Sequence, residues 1–437
     1  MGVITPRHIQ EYENKFALLD RPLVASKLGG IDQIVVIPAL AEKKSLPATL
    51  ASLALNPDRE LRRSLILCVI NNRGLNVSSP AEIKDNQETI QYLHSLIKGW
   101  PGHAPVPTNL RLAYIDASSP GQEMPDKYGG VGTARKLGLD AALRLFDYTR
   151  PGKKLLISLD ADTLVEDNYL EAIRSFFQPE KAAAVVNYAH QIPAAARERL
   201  AIVNYEIFLR YYVLGLRYAG SPYAFPSIGS TIVCTAEAYV AVGGMNRRDA
   251  AEDFYFLNKL AKFQAVGSIG TTTVYPAARS SRRVPFGTGR RITRFLEEGE
   301  EEWLLYDPCI FIILKRWLQA MEAAPDRETA EIMLQAGQID ARLPAFLELH
   351  QFPAAWARIR KNVRRREGLQ RHFHCWFDGF KILKLVHYLT DQGLPQINMF
   401  SALEGLLRLM GGAAAVRIAN LHVLLFLAVT GQKCSLG

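Results

Sequence analysis

Four short apolar runs punctuate the first 160 or so residues: IVVIPA from Ile34, LILCVI from Leu65, LRLAYI from Leu110 and KLLISL from Lys154. Each is rich in Val, Ile and Leu and ends in polar or turn residues, the pattern of a strand buried on both faces. Between them the spacing becomes helical, in SLPATLASLAL, in ETIQYLHSLIKGW and in VGTARKLGLDAALRLF, where Val131, Ala134, Leu137, Ala141 and Leu145 recur on one face. This alternation predicts an α/β fold with a Rossmann-like, mostly parallel sheet and helices on both faces. Ligands in such sheets bind beyond the carboxyl ends of the strands.

From Arg290 onward the strand signals stop, and EEWLLYDPCIFIILKRWLQAMEA, TAEIMLQAG, FDGFKILKLVHYL and MFSALEGLLRLMG all read as helical. The expected organisation is an N-terminal helical arm over 1–30, an α/β domain over 31–294 and a C-terminal all-helical domain over 295–437. No internal repeat or low-complexity tract interrupts it.

Composition narrows the class. With 437 residues, 49% apolar and 22% charged, the chain is an ordinary globular one with length for a large domain and a smaller one. The opening MGVITPRHIQEYENKF lacks the basic head and apolar core of a secretory signal, so a cytoplasmic protein is expected. The cysteines Cys68, Cys234, Cys309, Cys375 and Cys434 are odd in number and form no C-x-x-C pair, which argues for reduced thiols rather than a disulfide framework or zinc site. The run IANLHVLLFLAVTG from Ile418 is shorter than the roughly 20 residues of a membrane span and reads as a buried helix. A net charge of +9 favours anionic partners. Two basic runs carry much of it, one at Arg279, Arg282, Arg283, Arg290, Arg291 and Arg294, the other at Arg358, Arg360, Lys361, Arg364, Arg365 and Arg366.

Candidate chemistry sits where the strands end. The first strand runs into Pro38-Ala39-Leu40-Ala41-Glu42, whose carboxylate can accept hydrogen bonds from a ribose or base or simply stay solvated. The second ends in Asn71-Asn72-Arg73-Gly74, amides suited to a base edge and equally to a turn. A glycine-rich loop from Lys127 to Gly132 opens the helix carrying Arg135, a setting for phosphate or merely a tight turn. The fourth strand ends in Asp160-Ala161-Asp162. About one D-x-D arises by chance in a chain this long, so its place after a buried strand counts for more than the tripeptide. Two carboxylates there need a compensating cation or donors, and hard oxygen ligands suit Mg²⁺ or Mn²⁺. Further on, Glu252-Asp253 opens a helix, where acidic residues serve the helix dipole or, for Asp253, act as a general base.

Taken in order, these segments resemble the family 2 glycosyltransferases of GT-A fold. VVIPALAE is similar to the family's opening V-x-I-P-A-x-N-E, GVGTARKLGLDAAL to its A-R-N-x-G-x-x-x-A helix, and SLDADTLVEDNYL to its D-x-D strand. GSTIVCTAEAYVAVGGM with AEDFYF resembles its acceptor-side strand, G-G turn and E-D pair. The likeness covers 31–290. It implies that Pro38, Ala39 and Glu42 line the nucleoside pocket, that Arg135 lies near the donor, and that Asp160 and Asp162 hold ribose and metal, with Asp162 the principal ligand; the family's aspartate after the second strand is Asn71 or Asn72 here, and Asn72 is the donor-binding candidate. It further implies that Asp253, beside Glu252, is the base and that Arg282 and Arg283 meet the phosphates. The family's Asn before the Glu is Ala41 here, and its Q-x-x-R-W segment is missing.

The expected function is therefore metal-assisted transfer of a sugar, with inversion, from a UDP- or GDP-sugar to a hydroxyl acceptor, lipid-linked or saccharide, as in polysaccharide or glycolipid synthesis. Two alternatives compete. A sugar-phosphate nucleotidyltransferase would need a glycine-rich activating loop after the first strand, where this chain has PALAEKKSLP. A non-enzymatic basic binder would act on nucleic acid or a membrane surface through ARIRKNVRRREGLQRHFHCWF, with Trp356, Phe373 and Trp376 among the arginines. No nucleic-acid partner is expected for the enzyme, whereas peripheral contact with the inner face of a membrane is compatible with a lipid-linked acceptor.

Overall fold

The computed structural model describes residues 5–74, 76–99, 109–177, 180–279, 288–298, 303–323 and 326–411. The chain divides into two compact units, and the division is not linear: residues 1–191 and 227–290 form the first, residues 192–226 and 291–437 the second.

The first unit is built on nine strands: β1 (Leu23–Ala25), β2 (Gln33–Ala39), β3 (Ser64–Asn71), β4 (Leu112–Ala117), β5 (Leu155–Ser158), β6 (Leu164–Val165), β7 (Ala183–Tyr188), β8 (Ile232–Thr235) and β9 (Val266–Tyr275). Their order is β1-β4-β3-β2-β5-β8-β7-β9-β6. The predicted strands β2 to β5 make its parallel centre, with Ile34 opposite both Leu65 and Leu156. The chain reverses at β8, antiparallel to both β5 and β7, while β7 and β9 return to the common direction. Every residue of β2, β3 and β5 is buried, as continuous apolar runs require.

The predicted helices appear at Leu46–Ala54, Pro80–Lys98 and Val131–Ala142. The last lies unusually close to the sheet. A Cβ on Gly138 would collide with Val36 and Val69, so the glycine that weakens the helix locally is what lets it settle onto β2 and β3. That seating brings Arg135, one turn earlier, down to the strand ends.

The second unit is helical, from Ala196–Tyr218 to Met399–Leu409, round an aromatic core. Trp317 is fully buried, with Phe352, Phe373 and Phe377 presenting ring edges at 5.6, 5.8 and 6.2 Å between centroids. One expectation needs correcting here. Leu304–Leu305 pairs antiparallel with Ile397–Asn398, so the region is not helical throughout. A ladder of two residues is too short to leave an alternating signature in sequence. Trp356 and Phe373 are 1% exposed, core residues rather than the outward aromatics a membrane patch would need. Among the described residues no helix is long and apolar enough to cross a membrane, and the run from Ile418 lies outside them. Cys68, Cys234, Cys309 and Cys375 are free thiols.

Candidate functional site

The loops after β2 and β3 are fixed by one buried side chain, Asn86 of the Pro80–Lys98 helix. Its Oδ1 accepts the Ala41 N–H at 2.8 Å, and its Nδ2 donates to Asn71 O at 3.1 Å and to Asn72 Oδ1 at 2.9 Å. Asn72 also donates to Arg73 O at 2.7 Å, so its side chain is tied into the protein on both its oxygen and its nitrogen. Pro38 and Ala39 are buried within β2, opposite Val69 and Ile70. Ala41 is held at φ 52°, a left-handed conformation costing an alanine on the order of 1 kcal/mol, and it turns the chain so that Glu42 follows.

The Asp160-Ala161-Asp162 turn is gripped from three directions. Thr49 Oγ1 donates to Ala161 O at 2.8 Å, Gln191 Nε2 donates to Asp162 O at 2.9 Å, and Ser230 Oγ donates to Asp160 Oδ2 at 2.5 Å. Ser230 is wholly buried and touches Thr163 Oγ1 at 3.0 Å. The other oxygen of Asp160 meets the Arg135 guanidinium, whose second amine reaches Glu252. Gly229 leaves room for this: a Cβ there would fall on the guanidinium. Burial disfavours the charge on Arg135, but Asp160, Glu252 and Asp253 outweigh it and hold its pKa above the usual value.

A second arginine serves the other carboxylate. Arg279 lies 2.8 Å from Asp162 Oδ2 and pairs also with Glu42. Burial first, then Asp160, push the Asp162 carboxyl up to about 6 against the pull of Arg279.

Glu252 and Asp253 open the Glu252–Phe263 helix behind Ala251, another alanine in the left-handed region at φ 58°. Burial raises the pKa of Glu252, opposed by Arg135. Burial and then Glu252 raise that of Asp253, whose Oδ1 accepts the Phe254 N–H at 2.7 Å.

The structure thus gathers Glu42, Arg135, Asp160, Asp162 and Glu252, with Asp253 beside them. It adds Ser230, Gln191, Thr49 and Asn86, which sequence reasoning did not assign to the site, and Arg279, which it placed only within the basic run after the sheet. Arg279 stood in the basic run after the sheet, and Ser230 beside a glycine at a strand start, but their partners are far off along the chain. Arg282 and Arg283 lie outside the described residues. The glycine-rich loop proves to be a packing seat. A Cβ on Gly130 would strike Asp249 and one on Gly132 would strike the backbone at Arg248 and Asn246, while the Gly132 N–H already donates to Arg248 O at 3.2 Å. Lys127 is exposed over the Tyr128 ring, 5.0 Å from its centroid.

No family model matches the chain. No curated protein matches it either. Among solved structures it is similar to residues 1–349 of S. aureus TarS at 12% identity and a TM-score of 0.35, over 83% of this chain and 88% of that one. The same fragment in complex with UDP-GlcNAc gives 11% and 0.39, over 79% and 91%. The mannosyltransferase PcManGT from Pyrobaculum calidifontis, in complex with GDP-Man and Mn2+, gives 14% and 0.37, over 87% and 90%. These likenesses are distant, and it is the chain's own sheet that carries the architecture: a parallel centre β4-β3-β2-β5, a reversed β8 beside it and carboxylates at the strand ends, a mostly parallel, Rossmann-like α/β fold.

Proposed function

We propose that the protein transfers a glycosyl group, with inversion, from a nucleoside diphosphate sugar to an acceptor hydroxyl. The observation that supports this most is the grouping of five carboxyl groups, Glu42, Asp160, Asp162, Glu252 and Asp253, where β2 and β5 end, held among the described residues by the guanidiniums of Arg135 and Arg279.

Such a cluster of carboxylates suits a divalent cation. Among the described residues no three His, Cys, Asp or Glu side chains are placed to enclose one. Asp162, with Asp160 beside it, would hold Mg²⁺ or Mn²⁺ through hard oxygens, leaving other positions to diphosphate and water. Bound there, such an ion supplies charge neutralisation at the diphosphate leaving group. The chain's own residues do the rest. Arg135 and Ser230 fix Asp160, and Gln191 fixes the backbone of Asp162. Asp253, its pKa raised towards neutrality by burial and Glu252, takes the proton from the acceptor hydroxyl as it attacks the anomeric carbon. Glu252 acts through Arg135 and Asp253 as a positioning residue. Arg279, already on Glu42 and Asp162, is a counter-charge for the departing diphosphate.

The test is release of nucleoside diphosphate from a panel of UDP- and GDP-sugars with Mg²⁺ or Mn²⁺. UDP-GlcNAc and GDP-Man, the ligands of two structural neighbours, are the first donors to try. Asp253→Asn is expected to lower turnover by about a hundredfold while donor-induced thermal stabilisation persists. Equal turnover in that variant would remove Asp253 from the reaction.

A further inference from the structure

Three glycines ahead of Arg135 each make room for part of one assembly. A Cβ on Gly129 would lie 2.9 Å from the Arg73 Cγ, and one on Gly130 would lie 2.7 Å from the Asp249 Cα. A Cβ on Gly132 would press on the carbonyls of Arg248 and Asn246. Beside these glycines Arg73, just past the end of β3, meets Asp249 at 2.8 Å. The backbone on the arginine's side is fixed as well, since Arg73 forms a bridge to Met124 and the Met124 N–H donates to Asn72 O at 2.9 Å.

Asp249 stands two residues before Ala251, the alanine held in the left-handed region at φ 58°. An alanine stays in that conformation only where its surroundings dictate it. Here three contacts do so. The Gly132 N–H donates to Arg248 O at 3.2 Å, the Arg248 guanidinium lies 3.5 Å from the centroid of the Tyr255 ring, and Arg73 holds Asp249. The Tyr255 N–H then closes the turn on Ala251 O at 3.1 Å, and between them stand Glu252 and Asp253.

We propose that Arg73 and Asp249 are positioning residues for Asp253: their ion pair, seated beside the glycines, fixes the turn at Ala251 and so the place of the carboxylate that takes the acceptor's proton. The proposal rests on the reading of Asp253 as the base. The two side chains are 29% and 53% exposed, so solvent screens the pair and it adds little to global stability. Its effect is local, because a reacting group displaced by about 1 Å can lose up to about a hundredfold in rate.

Arg73→Met and Asp249→Asn are to be compared with the natural chain in steady-state kinetics on the preferred donor and, without substrate, in amide exchange over 248–257. In each variant kcat is expected to fall about tenfold, with donor KM and thermal midpoint unchanged, a split that a merely stabilising contact would not produce. Arg73→Lys, which keeps the charge for a single contact, should recover most of the loss. Exchange over 248–257 should quicken in both variants. Unchanged exchange, or unchanged kcat where Asp253→Asn is impaired, overturns the proposal. Full turnover in Asp253→Asn is the separate failure of the base on which it rests, and exchange, which needs no substrate, still decides whether the pair holds the turn.

Discussion

Among the described residues two arginines hold the candidate site, and they hold it differently. The side chain of Arg135 is 4% exposed and wedged between Asp160 and Glu252, and that of Arg279 is 42% exposed and leans on Glu42 and Asp162 from the edge. A guanidinium buried between carboxylates cannot leave without stranding them, whereas a half-exposed one can move at little cost. The difference makes Arg135 the expected scaffold residue and Arg279 the one expected to move more easily, and each expectation can be tested.

Removing Arg135 should do the most damage. Arg135→Met leaves Asp160 and Glu252 without their counter-ion, and urea unfolding should report a loss of about 3–5 kcal/mol. A loss as small as that of an exposed pair would erase the contrast between the two arginines.

Replacing Asp162 should act in the opposite direction. Burial and Asp160 push its carboxyl up to about 6 in the folded chain, against about 3.9 when unfolded. Below about pH 4 it is protonated in both states and costs nothing. Between about pH 4 and 6 the folded chain keeps a proton that the unfolded one releases, so stability falls as pH rises, and above about pH 6 the whole cost is present. In EDTA, Asp162→Asn should therefore be more stable than the natural chain by about 1–2 kcal/mol at pH 7.5 and equal to it at pH 4. A gain that persisted at pH 4 would have another origin.

Ser230→Ala sharpens the scaffold side. It removes the hydroxyl that donates to Asp160 at 2.5 Å in a fully buried setting, and denaturation should show a loss of about 1–1.5 kcal/mol. The smallest stability effect is expected from Arg279→Gln, under about 1 kcal/mol after solvent screening, yet that variant should bind nucleoside diphosphate several-fold more weakly in a thermal-shift titration. Unchanged affinity would return Arg279 to the surface.

The same contrast explains what the sequence made legible. Strands β2 to β5 could be read because full burial writes a continuous apolar run, and their ends pointed to Glu42, Asp160 and Asp162. The company of those acids could not. Ser230 lies 70 residues from Asp160, Arg279 lies 237 from Glu42 and Arg135 lies 117 from Glu252, separations that leave no local pattern. Asn86 looked like any polar position on an exposed helix, although it is 1% exposed and ties two strand-end loops together. Nor did any composition change mark Ile192–Pro226 as part of the second unit, since its helix reads like its neighbours and only packing assigns it.

The central claim is that the carboxylates gathered at the strand ends serve a metal-assisted nucleotide-sugar reaction, and Asp162→Ala tests it most directly. Nucleoside diphosphate release from the preferred donor should be followed with and without Mn²⁺, alongside circular dichroism of the same sample. The account predicts an intact fold and a loss of metal-dependent turnover of a hundredfold or more, on the order expected for removing a principal electrostatic contact to the leaving group. Turnover close to that of the natural chain, in a variant that remains folded, would contradict it.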